Sequence, residues 1–99
     1  MQTFIIRRRE AWKDPQELEA VAARSRQIGD EEMSDDVRWI RTYVVDDGGT
    51  LGSLCVYQAT SADALEEHAR RVDMPADEIT LVADTVVVRP DPEPAQASS

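Results

Sequence analysis

Four short stretches of this chain place apolar residues at consecutive positions: Phe4-Ile5-Ile6, Leu54-Cys55-Val56-Tyr57, Leu81-Val82-Ala83 and Val86-Val87-Val88. Successive side chains of a strand point to opposite faces, so a sheet with one wet face alternates apolar with polar residues. These runs do not alternate, and strands built from them ask for cover on both sides. Helices flanking such a sheet cover one side only. The simplest cover for the other is the same face of a second copy, and two four-stranded sheets meeting this way form a closed barrel with a central pocket. The sequence therefore predicts a homodimer, against which a monomer at micromolar concentration would speak. Length agrees: a chain of 99 residues buries only about two-thirds of its unfolded surface, and self-association enlarges a thin core.

The remaining pattern supplies the elements. Residues 3–9 read as a first strand. Asp14, Pro15 and Glu17 form an N-terminal helix signal, followed by Leu18, Val21, Ala22, Ser25 and Ile28 at helical spacing. Gly29 is a natural stop, although Glu31, Glu32 and Met33 could extend the helix by a turn. Residues 37–45 give a second strand, Asp46-Asp47-Gly48-Gly49 a turn, and residues 51–59 a third strand. Thr60 or Ser61 caps a second helix with Ala62, Leu65, Ala69 and Val72 on one side. Pro75 ends that region, and residues 79–89 give a fourth strand. This β-α-β-β-α-β order is the α+β, ferredoxin-like split arrangement with a four-stranded antiparallel sheet. One domain over residues 1–89 and a disordered tail over residues 90–99, rich in Pro, Ala and Ser, complete the expectation.

Eleven basic against twenty acidic residues give a net charge of −9. That balance repels phosphate backbones and anionic lipid headgroups, so nucleic acid and membranes are unexpected partners. Arg7, Arg8 and Arg9 are the local exception, read as edge-strand charge paired with carboxylates or as an anion site. Cys55 is the sole cysteine, which rules out an intrachain disulfide, a zinc ribbon and a CxxC redox motif. Phe4-Ile5-Ile6 is too short for a signal peptide's apolar region, and a cytoplasmic protein is the expectation.

The segments Trp39…Tyr43-Val44, Cys55-Val56-Tyr57-Gln58-Ala59 and Glu67-His68-Ala69-Arg70-Arg71…Pro75-Ala76-Asp77-Glu78-Ile79 resemble a family of small ferredoxin-like proteins. It is common in actinobacteria, was first a domain of unknown function, and later took its name from a nickel-binding streptomycete member. The resemblance covers most of residues 3–80 and implies a dimeric α/β barrel. It also implies histidines at the end of the first strand and within the first helix of nickel-binding members. Here Arg7, Arg8 and Arg9 stand at the first place and Ala22 and Ala23 near the second, so only His68 matches. Gln58 and Thr60 replace the usual Glu and Pro around Ala59, and Asp73 the usual Gly. The resemblance thus points to the branch whose role is unassigned.

His68, the only histidine, falls roughly 60° from the centre of the Leu65, Ala69 and Val72 stripe. There it is either a hydrogen-bonded core residue or a pocket group able to act as base or metal ligand. Glu67 points away from the stripe. Cys55 reads as a small buried hydrophobe, or as a partner to His68 in binding a soft divalent metal such as nickel or in nucleophilic chemistry. Trp39, Arg41 and Tyr43 fall on one face of their strand by alternation. With Tyr57 and His68 they would line a pocket for a flat organic ligand. The acidic clusters lack calcium-loop spacing, and no phosphate loop, HExxH or GxSxG motif occurs. Three functions emerge, in order: small-ligand binding, transition-metal binding through His68 and Cys55, and cofactor-free catalysis with His68 as general base.

Overall fold

The computed structural model of the protein describes residues 1–74, 76 and 78–92. Six elements run in the order β1 (Gln2–Trp12), α1 (Pro15–Glu31), β2 (Val37–Asp46), β3 (Leu51–Ala59), α2 (Ala62–Val72) and β4 (Glu78–Leu81). The strands form one sheet in the order β2-β3-β1-β4, with every neighbouring pair antiparallel. Both helices lie on one face. This is the ferredoxin-like α+β arrangement that the sequence predicts.

Local chemistry sets the boundaries. Asp14 caps α1 by accepting the Glu17 amide at 3.0 Å, and Pro15 opens the first turn, where its missing N–H costs nothing. Gly29 does not stop α1; the helix runs on to Glu31, and Gly29 is buried inside it. Ser61, rather than Thr60, caps α2 through the Ala64 amide at 3.2 Å. At the other end of α2, Asp73 adopts the left-handed conformation (φ 62°, ψ 53°) and its amide bonds back to Ala69 and Arg70. In the β2–β3 turn, Gly48 and Gly49 take positive φ and donate their amides to the Asp46 carboxylate. Pro75 lies outside the described residues.

Two strands depart from expectation. β1 extends beyond residue 9 to Trp12 by means of an irregularity between Arg8 and Trp12, where Glu10 adopts a φ of 47°. β4 is shorter than the expected 79–89, for a topological reason. It runs antiparallel to β1 with Leu81 opposite Phe4, and the Val82 amide reaches the Thr3 carbonyl at 2.9 Å. One residue further the chain passes Gln2, the first residue of β1, and the ladder ends there. Residues 90–92 of the expected tail are described, and Asp91 among them contacts Tyr43 and Arg41. Residues 93–99 lie outside the described residues.

The core fills the space between the sheet and the two helices. Phe4 and Ile6 of β1, Cys55, Tyr57 and Ala59 of β3, Ile28 of α1, and Leu65 and Val72 of α2 are all buried there. No described helix is long and apolar enough to cross a membrane.

Candidate functional site

β3 is the spine of the site. Its alternate residues Ser53, Cys55, Tyr57 and Ala59 are buried on the helix face, while Leu54, Val56 and Gln58 point to the open face and are half-buried. β2 pairs with it, but the register slips between Trp39 and Arg41, a bulge at Ile40. Trp39 stands opposite Tyr57 on the helix face, and after the bulge Thr42, opposite Cys55, takes that face. Arg41 and Tyr43 are turned over to the open face. The single pocket lined by Trp39, Arg41, Tyr43, Tyr57 and His68 is therefore corrected: the bulge splits the set between two sides of the sheet.

On the helix side the aromatic groups meet. Trp39 stacks on Tyr57 with ring centres 6.2 Å apart and planes 13° from parallel. Tyr57 in turn meets His68 edge-on at 5.7 Å. His68 is 1% exposed. Its Nε2 donates to the Ser25 carbonyl of α1 at 3.0 Å, and the Tyr57 hydroxyl shares a 3.4 Å hydrogen bond with the Ser25 hydroxyl. Burial pushes the His68 ring below its ordinary pKa, against the Ser25 carbonyl that favours its proton. Burial also raises the Tyr57 phenol, with the nearby Cys55 adding to it. His68 thus ties α2 to α1 as a neutral core histidine.

Cys55 sits within a chain of donors. Trp39 Nε1 donates to the Thr42 hydroxyl at 2.7 Å, and that hydroxyl donates to Cys55 Sγ at 3.1 Å. The Arg8 guanidinium approaches the same sulfur at 3.4 Å, and the thiol donates to the Ser53 hydroxyl at 3.6 Å. The arginine run splits by parity. Arg7 pairs with Asp47 at 2.8 Å and Arg9 with Glu78 at 2.8 Å, both toward carboxylates. Each arginine holds its carboxyl partner below the usual carboxylate range, helped at Asp47 by the Glu10 amide. Arg8, only 3% exposed, points inward.

Thr42, Ser53 and Ser25 are site residues that the sequence reading did not single out, and Arg8 was weighed only as one of a run of three arginines. For Arg8 the signal existed, since it continues the two-residue period of the buried Phe4 and Ile6. Together with Trp12, Trp39, Tyr57, Cys55 and apolar residues of α1 they line a cavity of about 20 Å³ between the sheet and α1. That is room for about one water. Trp12, Val21 and Met74 also line a surface hollow of about 340 Å³. Those three side chains stand between the two, lining both.

The donor set does not fit a nickel ion. Among the described residues no three of His, Cys, Asp and Glu come together. His68 Nε2 is committed to Ser25, and the Cys55 sulfur is surrounded by Thr42, Arg8 and Ser53. The same burial takes His68 away from a role as general base toward a bound substrate.

The crystal structure of SCO4226 from Streptomyces coelicolor A3(2) resembles this fold with a TM-score of 0.70, over 85% of this chain and 99% of that one, at 19% identity. That likeness speaks for the fold. No curated protein matches the chain. Residues 4–82 match the family model described as "Nickel responsive protein SCO4226-like", a span that takes in both helices and all four strands except the first two residues of β1. The chain therefore belongs to the SCO4226-like family of nickel responsive proteins.

Proposed function

We propose that the protein binds a small organic acid with an aromatic or apolar body, on the helix side of its sheet and next to α1. The observation that carries this reading is the cavity lining. A buried guanidinium and three hydroxyl-bearing side chains (Ser25, Thr42, Ser53) face two tryptophans and a tyrosine, and no carboxylate occurs among the described lining residues. Arginine stays charged and offers planar, forked donors suited to a carboxylate, while aromatic walls accept a flat body. The cavity is closed to such a ligand as it stands. Movement of Trp12 and Met74 would join it to the surface hollow, which by itself is within the size range of small-molecule sites; because Glu17 and Asp73 also line that hollow, the ligand's acid group lies at the Arg8 end and its apolar body in the hollow.

The functional unit in this reading is a homodimer. The helices leave the second sheet face open, where Ile5, Leu54 and Val56 are only half-buried and Tyr43 is exposed. A second copy offers the matching surface.

Intrinsic fluorescence tests the ligand directly, because both tryptophans of the chain, Trp12 and Trp39, line the cavity. Benzoate and benzyl alcohol are the probes, titrated into the full-length protein and into Arg8→Gln. The expected result is saturable quenching by benzoate, at least about tenfold weaker binding of the alcohol, and loss of that discrimination in Arg8→Gln. Equal response to acid and alcohol, or none to either, overturns the reading. Circular dichroism of Arg8→Gln establishes that the variant is folded.

A further inference from the structure

The family match ends at residue 82, yet the described chain continues, and the residues beyond that point make an unusual combination of contacts. Val86, Val87 and Val88 are 83%, 75% and 77% exposed. Three consecutive valines in water are a poor use of β-branched apolar side chains, each of which favours burial. Further on, Asp91 is not loose: its carboxylate meets both the Tyr43 hydroxyl and the Arg41 guanidinium on the open face of β2. The segment leaves the sheet at β4, one edge, and lands at β2, the other. Extended chain from Val82 to Asp91 reaches about 30 Å, whereas three strand spacings amount to about 14 Å. The slack lets the valines bow away from the sheet, so within one chain the strap gains its acidic anchor and buries almost none of its apolar surface.

We propose that this segment is an exchanged arm. In the dimer, residues 82–91 of one copy lie along the second copy, with Asp91 on the second copy's Arg41 and Tyr43 and the valine run buried between the two open faces. The inference rests on the dimer reading above and deepens it by naming the contact. Exchange uses the same acid–guanidinium pair that one chain already forms with itself, which is why such swaps form at low cost. It also gives the valines the apolar cover that their own sheet does not provide. The partner is chosen by charge complementarity: Arg41 supplies the cation on the face that the arm crosses.

Two charge reversals separate exchange from self-contact. Arg41→Asp leaves two acids facing one another, and Asp91→Arg leaves two guanidinium groups, whether the contact is within or between chains. Mixing the two variants restores both pairs only if the contact is between chains. Native mass spectrometry of the full-length protein, each variant, their mixture and the double variant reads the outcome. The arm is supported if each single variant weakens the dimer by about tenfold or more and the mixture forms heterodimer well above the statistical half. It is overturned if the mixture shows no excess while the double variant regains the dimer, since the contact is then internal. Wild-type-like dimers from both single variants overturn it as well. A wild-type monomer at micromolar concentration defeats the dimer reading itself, and is told apart from those results by the wild-type spectrum alone.

Discussion

The two faces of this sheet are built from the same strands and differ in nearly every physical respect. The helix face is dry and closed, with Ile6, Tyr57, Leu65, His68 and Val72 fully buried and its polar groups tied into a network around Cys55. The open face carries ion pairs at its margins, half-buried aliphatic residues at its centre and a strap anchored at one residue. Stability within one chain comes from the first face. The second is where association is available. Since the strands alternate, each residue of β3 contributes to one of these roles and not the other.

The comparison breaks most visibly under truncation. Leu65→Ala, on the helix side with no exposure, should destabilise the protein by about 3 kcal/mol, the loss of transfer free energy plus the cavity left behind. Leu54→Ala, on the open side, should cost about 1 kcal/mol when the protein is dilute. Urea unfolding at low protein concentration measures both. Equal costs would mean that the open face is as well packed within one chain as the helix face.

Acid offers a second way to sharpen it. His68 is neutral in the fold, its ring held below the ordinary 6.5 by burial. As the pH falls through 6.5 the unfolded chain takes up a proton that the folded chain refuses, so stability declines with acidification from that point. The carboxylates of Asp47, Glu67 and Glu78, lowered chiefly by hydrogen bonds from arginines, stabilise the fold above their ordinary values and lose that contribution only in stronger acid. The buried histidine of the helix face and the exposed ion pairs, two of them at the sheet margins and one on α2, therefore titrate in separate windows. Unfolding midpoints at about pH 7.5, 6.5 and 5.5 should fall for the wild type, whereas His68→Gln should be lower throughout but flat over this range.

The smallest effect belongs to the end of α2. Asp73 occupies a left-handed position in which its Cβ is a burden, and Asp73→Gly should raise stability by about 0.5–1 kcal/mol. A thermal melt detects the shift, and a loss in its place would mean that the Asp73 side chain holds a contact that glycine lacks.

Much of this architecture is legible in the sequence, and the illegible parts have physical reasons. Caps at Asp14 and Ser61, the Asp-Gly turn and the two-faced strands are local signals, readable without knowing what they pack against. The length of β4 is not local: Val86-Val87-Val88 has every mark of a strand, and what ends pairing is the point at which β1 begins. His68 reads as the edge of a stripe on a helical wheel because the wheel does not know that α1 crosses above it, with Gly29 facing the imidazole. The site suffered most from one extra residue. Alternation puts Trp39, Arg41 and Tyr43 together, and the bulge at Ile40 parts them. Arg8 was hidden in a different manner, inside a triplet whose charge looked like one surface feature although its members face two ways.

The bulge at Ile40 also means that β2 is written in two phases. Up to Trp39, odd-numbered positions are the inward ones, Val37 being fully enclosed; after the bulge even-numbered Thr42 takes that side, and Val44, next on it, is already exposed. Polar substitutions will therefore be resisted at odd-numbered Val37 and Trp39 before the bulge and at even-numbered Thr42 after it, while exposed Val44 accepts them. Deleting Ile40 would leave Arg41 opposite Val56 and Tyr43 opposite Leu54, still on the open face, whereas taking Ile40 into the ladder opposite Val56 would send both Asp91 anchor points into the layer occupied by Cys55 and Tyr57. One residue with its own side chain in solvent thereby decides whether a guanidinium belongs to the exterior or to the core.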